Sequence, residues 1–300
     1  MQFSFWTGNG HPWQEILRAS VRAEETGWDG VWFADHFMPN AEDTSGPVHE
    51  VWSALAAIAA RTERVRLGPL VCGNTYRNPA VLLKQAVTAD HVSGGRMVLG
   101  MGAGWQENEH VAYGIDFGTF TERFAKLEEA LVILRVLRDE GRADVAGEHY
   151  RMVDAPLSPR PAGPLPILIG GGGEKKTLRL VARYAEEWNV WGTPDVLAAK
   201  GKVLDEHCER QGRDPGTIRR SAQALLFLCD TEDQAAKVRD RAIPRPTLIG
   251  TPAQLQEQVR AYAEAGVDEL IVPDFTLGEP GAKDDVLDRF LAEVAAPFRG

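Results

Sequence analysis

The chain predicts an α/β fold, a (β/α)8 barrel (TIM barrel) with insertions at the C-terminal face, on three observations. Short apolar runs alternate with longer amphipathic stretches eight times in 300 residues, a rhythm that suits a closed ring of parallel strands better than a doubly wound sheet. A hydrophobic content of 44% can bury a large core, and no self-sufficient core stands on either side of any Pro-rich stretch, so 1–300 reads as one domain. The third observation is a glycine loop placed between a strand and a helix, described below.

The first unit pairs a strand at 3–6 with a helix near 12–26, the second a strand at 30–34 with a helix near 47–61, and the third a strand at 65–71 with a helix near 79–92. The short runs are mostly apolar, whereas the longer stretches repeat apolar residues every three or four positions. Strands at 97–101, 167–169 and 188–191 precede helices near 120–138, 174–186 and 194–210. Strands at 222–228 and 270–273 complete the eight, with helices near 231–241 or 252–265 and near 284–296. Two stretches break the rhythm. Residues 102–119 extend the loop after strand four, and 142–164 hold a hairpin around Gly147-Glu148-His149-Tyr150 followed by a Pro-rich return. Both are expected to cap the active face.

Composition excludes several classes. A formal charge of −10, without any run of five or more Lys/Arg, argues against nucleic acid as a partner. Cys72, Cys208 and Cys229 are odd in number and lack CxxC spacing, so neither a disulfide framework nor a cysteine zinc site is expected. The first residues lack a signal-peptide pattern and no apolar run reaches membrane-spanning length, which predicts a soluble, cytoplasmic protein without membrane contact.

The glycine loop reads Gly-Gly-Gly-Gly-Glu-Lys-Lys-Thr at 170–177, directly after the apolar run Leu165-Pro166-Ile167-Leu168-Ile169. Glycines admit close approach of backbone amides, a helix start adds partial positive charge, and Lys175 and Lys176 add full charges, so the pattern suits a phosphate. A flexible turn beside two solvated lysines is the alternative reading. In a barrel the loops after the strands converge on one face. That rule brings together Asp35-His36 after strand two, Cys72-Gly73-Asn74 after strand three, Gly104-Trp105 after strand four and Trp191 after strand six. His36 is the leading acid/base candidate, with Asp35 or a backbone group to fix its tautomer.

Gly100-x-Gly102-x-Gly104 lacks dinucleotide spacing and reads as room for a flat ring, with Trp105 either a wall or packing under the insertion. The polar run Glu107, Glu109, His110 reads as a solvated helix turn, so no metal is expected.

Several segments together resemble the luciferase-like monooxygenase superfamily, in its branch of deazaflavin oxidoreductases that use coenzyme F420. They are Gly27-Trp28-Asp29-Gly30-Val31-Trp32-Phe33-Ala34-Asp35-His36, Arg77-Asn78-Pro79, Asp90-His91-Val92-Ser93-Gly94-Gly95-Arg96, Leu99-Gly100-Met101-Gly102-Ala103-Gly104-Trp105 and 169–177. Beyond about residue 200 the likeness rests on Ile249-Gly250-Thr251-Pro252 and Ala265-Gly266-Val267-Asp268. The resemblance implies hydride transfer between F420 and a small ketone, alcohol, imine or activated alkene, with His36 moving the matching proton. It implies a phosphate held by Gly171, Gly172, Gly173, Lys175, Lys176 and Thr177, a ring bordered by Asp35, Cys72, Gly73, Asn74 and Gly104, and a substrate wall of Trp6, Trp105 and Trp191.

A non-proline cis peptide near 71–73, a homodimer formed through barrel helices and a separate cofactor-reducing enzyme belong to the same implication, with Arg179 and Arg183 as candidate contacts for an acidic cofactor tail. Ser93-Gly94-Gly95-Arg96 reads instead as a turn at the barrel's stable end. Sugar-phosphate-oxidising relatives place an acidic side chain where Trp105 stands and a tryptophan where Asn40 stands, which makes glucose 6-phosphate a poor substrate for this chain. The alternatives are an FMN-dependent monooxygenase fed by a flavin reductase and, from another class, a non-catalytic cofactor carrier.

Overall fold

The computed structural model describes residues 1–299. In chain order these form β1 (Gln2–Trp6), α1 (Trp13–Thr26), β2 (Gly30–Phe33), α2 (Val51–Ala59), β3 (Arg66–Pro69), β4 (Cys72–Gly73), α3 (Pro79–Ser93), β5 (Leu99–Gly102), α4 (Glu107–Tyr113) and α5 (Phe120–Glu140). There follow β6 (Arg142–Ala146), β7 (Arg151–Pro156), β8 (Ile167–Gly170), α6 (Thr177–Tyr184), β9 (Glu187–Trp191), α7 (Pro194–Arg210), β10 (Arg219–Gln223), β11 (Leu225–Leu228), α8 (Glu232–Arg239), β12 (Thr247–Gly250), α9 (Pro252–Glu264), β13 (Glu269–Pro273) and α10 (Pro280–Arg289).

The main sheet runs β3-β2-β1-β13-β10-β9-β8-β5-β4, and its neighbours pair in parallel. β3 and β4 are two halves of one barrel stave, separated by a cis peptide between Leu70 and Val71. A bridge from Leu67 to Met97 closes the ring, so the expected (β/α)8 barrel is present. Local chemistry sets the helix ends. Asn78 caps α3 by accepting from Ala80 N–H at 3.0 Å, Pro79 occupies its first turn, and Gly94 ends it in the left-handed region at φ 70°.

Three expectations need correction. The non-proline cis bond lies at Leu70–Val71, one position before the expected 71–73. The strand expected at 222–228 is two: β10 belongs to the barrel, whereas β11 leaves it to pair with β12 in a separate parallel sheet. Only one polar residue, buried Gln223, stands at the break before Ala224, and apolar residues resume directly after it.

The insertion at 142–164 does form the expected hairpin, β6 with β7, but it does not cap the mouth. Its tip is held on the flank of α5, where Glu129 accepts from Tyr150 N–H at 2.8 Å and His149 N–H at 3.0 Å. Its return runs along α3, with His91 Nε2 donating to Arg160 O at 2.7 Å.

Arg96 confirms that the turn before β5 is structural. It donates to the carbonyls of Val65 and Thr62 at 2.6 Å and Ala59 at 3.1 Å, tying the end of α2 to the base of the barrel.

The barrel interior is layered. At the base, fully buried Glu269 accepts from Trp32 Nε1 at 2.9 Å, Arg66 at 3.2 Å, Arg219 at 3.0 Å and the Ser4 hydroxyl. Burial pushes its carboxyl up, but Arg66, Arg219 and the Ser4 and Trp32 donors outweigh this and hold it below the usual range. Above it Trp32, Val98, Leu168 and Ile271 seal the barrel with apolar volume.

Glu269→Ala removes the carboxylate that Arg66 and Arg219 share, leaving Arg66 with Glu187 and Arg219 with Gln2 as remaining acceptors, and is expected to cost about 3 kcal/mol in urea unfolding at pH 7. Because the folded pKa is depressed, this contribution is present above the unfolded value of about 4.3 and is lost as pH falls through the folded one. Wild type and variant should therefore converge in acid; a gap that persists at pH 3 would contradict the assignment.

Candidate active site

A cavity of about 780 Å³ opens at the C-terminal ends of the barrel strands. Every stave contributes to it: Trp6 from β1, Asp35 and His36 after β2, Cys72 and Gly73 in β4, Gly102 and Gly104 at β5, Gly170 and Gly171 at β8, Trp191 at β9, Gln223 at β10 and Phe275 after β13. Trp105 and Thr177 also line it, whereas Asn74, Gly172, Gly173, Lys175 and Lys176 lie off its wall.

His36 Nδ1 donates to Glu109 Oε1 at 2.8 Å. Glu109 is fully buried and also accepts from Phe37 N–H at 2.7 Å and the Tyr76 hydroxyl. Burial pushes its carboxyl up, but these three donors outweigh that and hold it ionised below the usual range. The Tyr76 phenol is pushed up by burial and by that carboxylate, so it stays a neutral donor.

The expectation that Asp35 or a backbone group fixes the His36 tautomer is therefore corrected. Asp35 instead takes Arg77 in a two-point pair at 2.7 and 3.0 Å and accepts from Gly73 N–H at 3.2 Å. Glu109 and His110 are not a solvated turn either, since both are completely buried. His110 sits between Thr75 Oγ1 at 2.6 Å and Gln106 O at 2.7 Å, locking α4 against the loop after β4.

Sequence reasoning missed Glu109 because the buried face of α4 is polar, so the helix carries no apolar stripe to reveal it. Trp105 lies edge-on to His36 with ring centres 5.4 Å apart and is 59% exposed, which makes it a rim of the mouth rather than interior packing.

The glycines of β5 serve the neighbouring stave first. A Cβ at Gly100 would lie 2.1 Å from Pro69 O, and at Gly102 or Gly170 it would lie 2.8 Å from the Val71 side chain. They therefore let the backbone around Leu70–Val71 bulge inward, and this bulge, not the glycines alone, forms the floor on which a flat group could rest. Gly104 has φ 81°, and a Cβ there would lie 2.8 Å from Thr75 Oγ1. Cys72 is buried and its thiol is pushed well up, chiefly by burial, so it remains protonated.

Between β8 and α6 the carbonyls are anchored away from the opening: Gly171 O accepts from Trp188 Nε1 at 2.9 Å and Gly172 O from Lys200 Nζ at 2.7 Å. The amides from Gly172 to Lys176 have no backbone acceptor among the described residues. Lys176 Nζ lies over the rings of Phe120 and Phe124, at 5.0 and 5.4 Å, while Lys175 is exposed. Arg179 and Arg183, candidates for an acidic tail, are both paired with Glu128, at 2.6 and 3.1 Å.

The opposite wall is aromatic. Trp6 stands 6.0 Å from Trp191 and 5.1 Å from Phe275, ring centre to ring centre, and the Arg245 guanidinium covers Trp191 at 4.6 Å. Trp6 Nε1 and Gln223 Oε1 are buried there without a protein partner. Buried polar atoms without partners on a cavity wall are ready to meet a ligand. Gln223, Arg245 and Phe275 carry no sequence signal, because only the closed ring brings their distant segments together. Among the described residues no group of His, Cys, Asp and Glu is arranged to hold a metal ion, and no helix is long and apolar enough to cross a membrane.

A barrel whose staves all deliver side chains to one mouth, with a hydrogen-bonded His36–Glu109 pair on one side and the glycine loop beside it on another, has the form of a small-molecule enzyme of the TIM-barrel class. The chain belongs to the luciferase-like monooxygenase family, whose sequence model matches residues 1–245. Among relatives, the F420-dependent glucose-6-phosphate dehydrogenase of Intrasporangium calvum is 31% identical over 332 residues, covering 96% of this chain and 95% of its own length. That of Nocardia farcinica is 39% identical over 304 residues, covering 86% and 87%.

Solved structures align over nearly the whole chain. An F420-dependent secondary alcohol dehydrogenase in complex with an F420-acetone adduct gives a TM-score of 0.84 at 18% identity, with 98% of each chain covered. The coenzyme F420 dependent tetrahydromethanopterin reductase from Methanopyrus kandleri gives 0.84 at 17%, with 99% of each covered. At such identities the likeness speaks for the fold.

Proposed function

We propose that this chain is an oxidoreductase that transfers a hydride between the deazaflavin coenzyme F420 and a small organic substrate, a ketone or alcohol, an imine or an activated alkene. The observation that carries the reading is His36 on the wall of a glycine-lined cavity, with buried Glu109 behind it at 2.8 Å. The residues present fit such a group. Unpaired amides at 172–176 suit its phosphate, Gly73, Gly102, Gly104 and Val71 line the side of the cavity where a flat ring would rest, and Trp6, Trp191 and Phe275 leave an apolar place for substrate. Asp35, Cys72 and Asn74 shape the backbone behind the ring, and Lys175 and Lys176 add positive potential at the loop's outer edge.

When bound, the deazaflavin supplies a two-electron hydride carrier. Glu109 keeps the His36 proton on Nδ1, so Nε2 is the atom that accepts or returns the substrate's proton. Tyr76 and the Phe37 amide hold Glu109 in place, and the aromatic wall offers the substrate an apolar surface.

The relatives' glucose 6-phosphate suits this wall less well. Trp105 and Asn40 stand where sugar-phosphate-oxidising enzymes carry an acid and a tryptophan, and Arg245 is the one Lys or Arg on the lining among the described residues. A dimer, a cytoplasmic setting and a separate enzyme that reduces the cofactor complete the proposal.

Parallel titration of cofactor-free protein with F420 and FMN tests it. Tighter F420 binding, and oxidation of the bound reduced cofactor by a member of a ketone, imine and enone panel without oxygen uptake, is the expected result. Tighter FMN binding with oxygen uptake would replace it with a monooxygenase. Binding with no turnover across the panel would point to a carrier.

A further inference from the structure

The loop read as a phosphate site carries an internal contradiction, since Glu174 places a carboxylate in its middle. The neighbouring helix α7 resolves it. Lys200 Nζ donates to Gly172 O at 2.7 Å and pairs with Glu174 Oε1 at 3.2 Å. Seven residues further along the same helix face, His207 Nε2 donates to Glu174 O at 2.8 Å. Trp188, on β9, holds Gly171 O at 2.9 Å.

In a planar trans peptide the carbonyl and the following N–H point in opposite directions. Three anchored carbonyls therefore turn the amides of Gly172, Gly173 and Lys175 away from β9 and α7. The fit is close: a Cβ at Gly172 would lie 3.2 Å from Lys200 Cε and 3.0 Å from Val190 Cγ2, so the lysine stem packs directly against the loop backbone.

We propose that Lys200 is the positioning residue of the anion cradle. Its ammonium cancels the Glu174 carboxylate and at the same time pins the Gly172 carbonyl, which keeps the loop's N–H groups available to an incoming phosphate. Lys175 and Lys176, which the sequence singles out, contribute only long-range charge, whereas Lys200, 24 residues beyond Lys176 in sequence, holds the loop in the form that accepts an anion. This rests on the reading that the loop takes the cofactor's phosphate.

The test is fluorescence titration of wild type, Lys200→Met, Glu174→Gln and the double variant with F420 and with its phosphate-free deazaflavin riboside. Lys200→Met should weaken F420 binding by about tenfold or more, the scale of one lost charge-assisted contact with an unpaired carboxylate left behind, and leave riboside affinity unchanged. Glu174→Gln alone should not weaken F420, and adding it to Lys200→Met should recover part of the loss, the remainder measuring the carbonyl anchor.

Equal weakening of both ligands by Lys200→Met would assign Lys200 a general structural role and overturn the proposal. Unchanged F420 affinity would overturn it as well. If Lys200→Met does not fold, Lys200→Arg, which keeps charge and donors, should bind F420 like wild type, and a phosphate-selective loss there would equally count against it. Wild type that binds the riboside as tightly as F420 would instead refute the phosphate loop itself, and the positioning role with it.

Discussion

His36→Ala is expected to lower kcat by roughly a thousandfold, the middle of the range for loss of a positioned acid/base group, while cofactor affinity stays at the wild-type level. The split follows from position. His36 is one of many residues lining the cavity and spends Nδ1 on Glu109 at 2.8 Å, so its removal takes away a proton path and little binding surface. Glu109→Gln should reproduce much of the loss, because the amide can present its N–H to Nδ1 and so favour the wrong tautomer. Glu109 also holds Phe37 N–H and the Tyr76 hydroxyl.

Since Glu109 is ionised throughout the neutral range, the Gln variant should be impaired at every pH between 6 and 9 rather than along one limb. Single-turnover rates with prebound reduced cofactor provide the check. A His36→Ala enzyme that loses affinity and rate in equal measure would remove the proton-transfer role.

Gly100→Ala should be strongly damaging. Its Cβ would lie 2.1 Å from the Pro69 carbonyl oxygen, a backbone atom in the stave that carries the bulge, so no side-chain rotation can relieve it. Overpacking of this kind typically costs about 1–3 kcal/mol and more where backbone must move, and here the displaced backbone is the floor of the site. A large drop in Tm together with weakened cofactor binding is expected. Gly114→Ala is the control: φ is 65° with open space around it, so only the left-handed conformation penalises it, by about 1 kcal/mol. Comparable Tm values for the two variants would show that strand three can shift to accommodate a side chain.

The barrel was legible because each stave is a short apolar run and each outer helix an amphipathic one, both local properties of consecutive residues. The glycine loop, His36 and the tryptophans at the strand ends could be read for the same reason: each follows its strand directly, and in a barrel that position leads to the mouth. Even the Ser93–Arg96 turn could be assigned to the base, where Arg96 ties down three carbonyls.

What escaped the sequence was whatever depends on partners distant along the chain. Glu109 resembles any acidic residue on a polar helix until the fold presses α4 against the loop after β2, 73 residues from His36 in sequence. Lys200 looks like a surface lysine until α7 lies beside the loop of the preceding unit. The split of β10 from β11 could not be read, because one buried Gln223 at the break resembles any polar residue in a strand and hydrophobicity reports burial, not which sheet does the burying.

Residue order and polarity thus determined the (β/α)8 ring and the end of it that carries chemistry, since periodicity and strand-to-loop adjacency are encoded in neighbours. Which carboxylate pairs with the histidine, which lysine pins the glycine loop and what the β5 glycines make room for were decided by tertiary structure alone. Hydrogen bonds and close contacts depend on distance in space, and only closure of the barrel sets those distances.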